Sequence, residues 1–123
     1  MAGQLTISTL SDGTNSTSST NCIQGSAKAW VNFNGTNGSV RASYNISSVT
    51  RTATGTYTIV MTNAMSDANY SLTYGAGGRT SIPGDQSGIS MYNTPTSSTF
   101  YLVTNNATTT ITDVPYVYAA VFR

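Results

Sequence analysis

Histidine and glutamate are absent from this 123-residue chain, cysteine and tryptophan occur once each, and charge is confined to five basic and four acidic side chains. Each scarcity removes a class of chemistry. Without histidine and glutamate, general acid–base work falls to four aspartates, and a serine or cysteine nucleophile has no base beside it. The lone Cys22 forms no intrachain disulfide and supplies no structural zinc site; it is expected to be a buried, inert thiol. Lys28, Arg41, Arg51, Arg79 and Arg123 are spread along the chain, whereas nucleic-acid binding needs several basic groups on one face to release counterions. Neither nucleic acid nor an anionic membrane is an expected partner. No run approaches the roughly 18 apolar residues of a membrane span. Residues 1–13 lack the basic and apolar regions of a signal peptide, so synthesis in the cytoplasm and release by lysis are expected.

What is abundant is neutral and polar. Serine, threonine and asparagine make up about two residues in five, while charged residues are 7%, against an ordinary fraction of about 25%. Eight tyrosines add buriable surface, and the length suits one folded domain. Apolar residues recur with period two. Ala27, Ala29, Val31 and Phe33 share one face of a strand, with Lys28, Trp30 and Asn32 on the other. Val40, Ala42, Tyr44 and Ile46 repeat the pattern, and the two Asn-Gly steps in Asn34-Gly35-Thr36-Asn37-Gly38 suit a hairpin turn between the two runs. A short strand at 48–53 turns through Thr54-Gly55-Thr56 into Tyr57, Ile59 and Met61. Tyr70, Leu72 and Tyr74 follow a polar connection at 65–69 that has room for one helical turn. Runs at 89–92, 99–103, 108–112 and 116–122 complete about eight strands. Their spacing predicts an all-β antiparallel sandwich, jelly-roll or Greek-key like, over residues 27–123. Residues 1–26, rich in Ser, Thr and Asn, are expected to form an extended N-terminal arm or attachment segment, with Ile7, Leu10, Cys22 and Ile23 as its tie points.

Chemistry is harder to find. Asp12, Asp67, Asp85 and Asp113 each sit in a turn-like setting, where the side chain bonds the local backbone. No Asp-x-Asp-x-Asp spacing suggests calcium, and the glycines at 75–78 lack the Lys-Ser/Thr of a phosphate loop. The Asn-x-Ser/Thr triplets at Asn15, Asn34, Asn37, Asn45, Asn69 and Asn106 are close to chance for this composition. No catalytic residue, metal or cofactor is expected. Trp30 on the polar face of its strand is a platform for a sugar ring or for a subunit contact, while most tyrosines are expected to alternate onto the core face. Residues 75–88, with five glycines and a proline, read as a long loop suited to binding.

Three segments carry a family resemblance: Ala27-Lys-Ala-Trp-Val-Asn-Phe-Asn-Gly-Thr36, Arg41-Ala-Ser-Tyr-Asn-Ile-Ser-Ser-Val49 and Thr54-Gly-Thr-Tyr-Thr58. With Met65-Ser-Asp-Ala-Asn-Tyr70 and the closing Tyr118-Ala-Ala-Val-Phe-Arg123, they resemble a domain of the tail-fibre and virion structural proteins of tailed bacteriophages, cyanophage-like ones included. The resemblance covers roughly residues 22–74 and the last strand. It implies a non-enzymatic virion component, homotrimeric, that takes part in adsorption to the host surface with other virion proteins; no catalytic residue comes with it. In this setting Trp30, Arg79, Asp85 and Tyr92, through loops 75–88 and 92–98, are the expected contacts to a host-surface glycan. Ile7, Leu10, Trp30 and Phe122 are the expected subunit contacts. The alternative is a capsid cement protein whose arm clamps neighbouring subunits, and a third is a polysaccharide-degrading tip enzyme using Asp67 and Asp85. A domain in which almost nothing titrates near neutrality suits a particle exposed to variable salt and pH.

Overall fold

Strict alternation along four strands builds the core of a two-sheet antiparallel sandwich. In this computed structural model, which describes residues 3–78, 88–106 and 109–123, the sandwich strands are β3 (Ala27–Phe33), β4 (Val40–Tyr44), β5 (Ile46–Ala53), β6 (Thr56–Met61), β7 (Ser71–Gly77), β8 (Gly88–Met91), β9 (Thr99–Asn105) and β10 (Tyr116–Phe122). One sheet has the order β4-β3-β10-β7 and the other β5-β6-β9-β8. The two central strands of each sheet face inward with Ala29, Val31 and Phe33, with Val117, Ala119 and Val121, with Tyr57, Ile59 and Met61, and with Phe100, Leu102 and Thr104, all buried. Among the described residues, Val114 is the one member of the apolar core from outside these strands. Edge strands contribute only half-buried residues, among them Ile46, Val49, Leu72 and Ile89. Apolar area removed from water stabilises at roughly 25 cal/mol per Å², so stability is concentrated where the central strands face one another.

The hairpins use glycine for two different reasons. Gly38, at φ 78°, takes the left-handed turn conformation expected of an Asn-Gly step. Gly35 is needed for space instead: a Cβ there would collide with the carbonyl oxygen of Val114 and lie 2.6 Å from the Tyr57 hydroxyl. The Thr54-Gly55 turn joins β5 and β6 as the sequence predicts, with Gly55 at φ 63°.

Four local expectations are corrected. The run 40–46 is not one strand. Asn45 adopts φ 56°, its Nδ2 donates to the carbonyls of Lys28 (3.0 Å) and Asn63 (3.1 Å), and its Oδ1 accepts from the Asn63 amide (2.7 Å). This side chain stabilises a reversal that carries Ile46 into the opposite sheet, since asparagine tolerates that conformation better than other residues with a side chain. Second, Gly75–Gly77 are part of β7 and not of a loop. The ring of Tyr118 on β10 lies over Gly75, where a Cβ would come within 2.9 Å of Cζ, so glycine here makes room for a cross-strand aromatic. Third, residues 109–112 form no strand; Ile111 makes one isolated bridge to Asn105. Fourth, 65–69 contains no helical turn and is shaped by Asp67, which accepts from the Asn69 amide at 2.7 Å.

The segment before Ala27 is not extended throughout. β1 (Thr9–Ser11) and β2 (Ser16–Ser18) form a hairpin, followed by the helix α1 (Ser19–Gly25), whose N-cap Ser18 accepts from the Asn21 amide at 3.1 Å. None of residues 3–26 is buried, so Cys22 is half-buried and not a core thiol. Leu5, Ile7, Leu10 and Ile23 remain exposed and border a groove of about 400 Å³.

Candidate functional site

The described charges are tied to the chain itself. Asp113 is held by Arg51 in a two-pronged ion pair, Nη2 to Oδ2 at 2.7 Å and Nε to Oδ1 at 3.0 Å. Its Oδ1 also accepts from the Gly55 amide (2.7 Å) and from the Tyr57 hydroxyl (3.3 Å). Thr104, wholly buried, lies 3.4 Å from that hydroxyl and donates to the Thr112 carbonyl at 2.7 Å. Asp113 is therefore no local turn residue: it closes one end of the sandwich by joining segments about 60 positions apart in sequence. Arg123 closes the other side, pairing with Asp67 at 2.6 Å and donating to Ser66 Oγ and the Asn69 carbonyl, both at 2.8 Å. Asp12 does behave as a turn residue, accepting from the amides of Thr14 and Asn15. Among the described residues no group of three His, Cys, Asp or Glu gathers to hold a metal ion.

This clamp sets an expected pH profile. The Arg51 guanidinium, with the Gly55 amide, holds the Asp113 carboxyl below its ordinary value of 3.8, whereas burial raises the Tyr57 and Tyr70 hydroxyls above 10.0. A lowered aspartate contributes stability that is present above the unfolded value and lost as pH falls through the folded one; a raised tyrosine contributes stability that is lost as pH rises beyond about 10. Urea midpoints should therefore form a plateau from about pH 5 to 9 and fall on both sides. Asp113→Asn should lower the plateau and flatten the acid limb, and an unchanged acid limb would remove Asp113 from this role.

Among the described residues, exposed aromatic side chains gather on the outer face of the β4-β3-β10-β7 sheet. The inward set Val117, Ala119 and Val121 forces Tyr116 and Tyr118 outward, 47% and 48% exposed. Strand pairing places Tyr44 beside Trp30, then Ala120, then Thr73 across the sheet, with Asn32 beside Tyr118 in the next row. Small Ala120 between larger neighbours leaves a groove of about 480 Å³, bordered by Trp30, Asn32, Thr73 and Tyr118. Two cations reach this side of the sheet: Arg41 lies 4.3 Å from the Tyr116 ring centre, donates to the Pro115 carbonyl at 2.7 Å and reaches Asn32 Oδ1 at 3.5 Å, while Lys28 on β3 donates to the Ile23 carbonyl and to Ser26 Oγ. The groove itself is aromatic and amide-bearing and is bordered by no charged side chain.

The residues expected to act together are distributed differently. Trp30 lies on this face, but Tyr92 packs edge-on against Tyr101, at 5.8 Å between ring centres, on the outer side of the other sheet. The structure does not bring Trp30 and Tyr92 into one site. Arg79 and Asp85 lie outside the described residues. Ile7 and Leu10 are exposed on the N-terminal segment, and Phe122 is half-buried at the end of β10. The expectation that most tyrosines face the core is overturned: Tyr57 is buried, Tyr70 and Tyr101 are half-buried, and the other five are exposed. The outward placement of Tyr118 was missed, its alternation with Val117 and Ala119 being the one signal for it, and its partner Gly75 gives no signal within a single strand. These features define an all-β sandwich whose described charges bond its own segments and whose outer β4-β3-β10-β7 face carries an aromatic groove bordered by no charged side chain. No family model matches the chain, and neither does any curated protein or solved structure.

Proposed function

We propose that this chain is a bacteriophage virion structural protein, a tail-fibre or fibre-tip component that acts without catalysis in host-surface adsorption and assembles as a homotrimer. The observation that carries the reading is the exposed aromatic face with its uncharged groove on the sandwich, together with the segments at 27–36, 41–49, 54–58 and 65–70 that resemble phage fibre domains. Trp30, Tyr44, Tyr116 and Tyr118 offer contact area at low conformational cost. The engagement of Asp12, Asp67 and Asp113 in turns and clamps supports a non-enzymatic role. Exposed Leu5, Ile7, Leu10 and Ile23 on the N-terminal segment favour self-association or docking, since exposed apolar clusters mark interaction surfaces.

The test is twofold. Light-scattering chromatography at micromolar concentration should give three times the 12.9 kDa chain mass, and a monomer would overturn the trimer. The purified chain should also compete with intact phage for adsorption to the host, and no competition at saturating protein would overturn the adsorption role. A capsid cement is the second reading, favoured by the same apolar N-terminal segment. Its signature is virion occupancy abolished by deletion of residues 1–24 with host adsorption untouched.

A further inference from the structure

We infer that the groove between Trp30 and Tyr118 is a binding site for a neutral saccharide, an inference that deepens the adsorption reading and rests on it for its biological setting. At about 480 Å³ the groove lies in the range of small-ligand sites, roughly 300–1,000 Å³. Trp30, Tyr74 and Tyr118 are the aromatic residues that line it, with Ala120 between Trp30 and Thr73 and with polar groups at its rim. Thr73 presents a hydroxyl that donates to the Ala120 carbonyl at 3.4 Å and stays open as an acceptor, and Asn32 presents an amide whose Nδ2 makes no hydrogen bond among the described residues while its Oδ1 accepts from Arg41. A pyranose ring alternates in the same way, with C–H faces that pack on aromatic rings and hydroxyls that bond amides and hydroxyls.

The site is preformed. The Tyr118 ring is seated over Gly75, which has no side chain to displace it, and Trp30 is flanked by Tyr44 on the neighbouring strand. Little order has to be imposed on binding.

Other occupants fit less well. An anionic ligand would need a cation in the groove, and neither Arg41, drawn to Tyr116 and Pro115, nor Lys28, bonded to Ile23 and Ser26, lines it. A peptide joining the sheet as an extra strand needs unpaired backbone groups, but β3 and β10 are central strands bonded on both sides.

Trp30 is the only tryptophan, so intrinsic fluorescence reports on the groove directly. Purified protein would be titrated with neutral hexasaccharides of glucose, galactose, mannose and rhamnose, and with hexagalacturonate as the anionic counterpart. The expected result is a saturable emission change with at least one neutral sugar and none with hexagalacturonate. Tyr118→Ala and Ala120→Leu should each weaken binding by at least about tenfold, a loss of the size expected when one stacking surface is removed or a site is filled. Ala120→Leu adds bulk on the outward row only, so its circular dichroism and urea midpoint should match wild type, which separates lost binding from lost folding. No saturable change with any of the neutral sugars overturns the inference, as does binding that survives Ala120→Leu. A sugar-independent shift of Trp30 emission with protein concentration also overturns it and makes the face a self-contact. The adsorption reading fails separately: wild-type chain that binds sugar but never competes for host adsorption sinks that reading alone. Competition retained by Ala120→Leu sinks the saccharide site alone.

Discussion

Tyr57→Ala is expected to lower the free energy of unfolding by about 4–5 kcal/mol, close to the whole stability of many domains this size. The side chain is fully buried and meets the Phe33 ring edge-on with 5.1 Å between centres, so its loss opens a cavity between the two sheets. Its hydroxyl also reaches Asp113 at 3.3 Å and approaches buried Thr104 at 3.4 Å. Tyr57→Phe keeps the ring and should cost about 1–2 kcal/mol, which measures the hydroxyl alone. Urea unfolding followed by circular dichroism checks both. A loss below about 2 kcal/mol for Tyr57→Ala would mean that the two sheets close over the vacated space.

Gly35→Ala should be the next most damaging, at about 2–4 kcal/mol. The added methyl meets three groups: the Val114 carbonyl, the Tyr57 hydroxyl at 2.6 Å and Val117 Cγ2 at 2.9 Å. Two of these belong to backbone or core that moves only by loosening the end of the sandwich closed by Asp113. Gly38→Ala, three residues on, meets nothing closer than the Arg51 nitrogen at 3.4 Å and should cost only the left-handed backbone penalty of about 1–2 kcal/mol. Because Tyr57→Phe removes one of the three collisions, the double variant Tyr57→Phe/Gly35→Ala should be less destabilised than the sum of the singles. Additivity would show that the hydroxyl yields freely.

The aromatic face illustrates what a linear reading catches and what it loses. Trp30 stands out because a bulky apolar residue occupies the polar phase of β3. Tyr116 and Tyr118 occupy the same phase of β10, yet tyrosine is equally at home inside, so alternation alone did not separate them from Tyr57. Asn45 hides for a different reason. In Val40–Ile46 the period-two pattern runs unbroken through it, and only its φ of 56° and its bonds to Lys28 and Asn63 reveal the crossing between sheets.

From sequence alone came the all-β class, about eight strands, the inward rows of β3 and β6, and the hairpins at 34–38 and 54–56. Successive side chains on a strand must point to opposite faces, so burial is written locally in the order of residues. The tertiary structure decided the rest: the Asp113–Arg51 clamp, the space reserved by Gly35, the seating of Tyr118 on Gly75, and the separation of Trp30 from Tyr92. Each depends on which distant strands pair and in what register, and that choice is made by the packing of both sheets together rather than by any single stretch of chain.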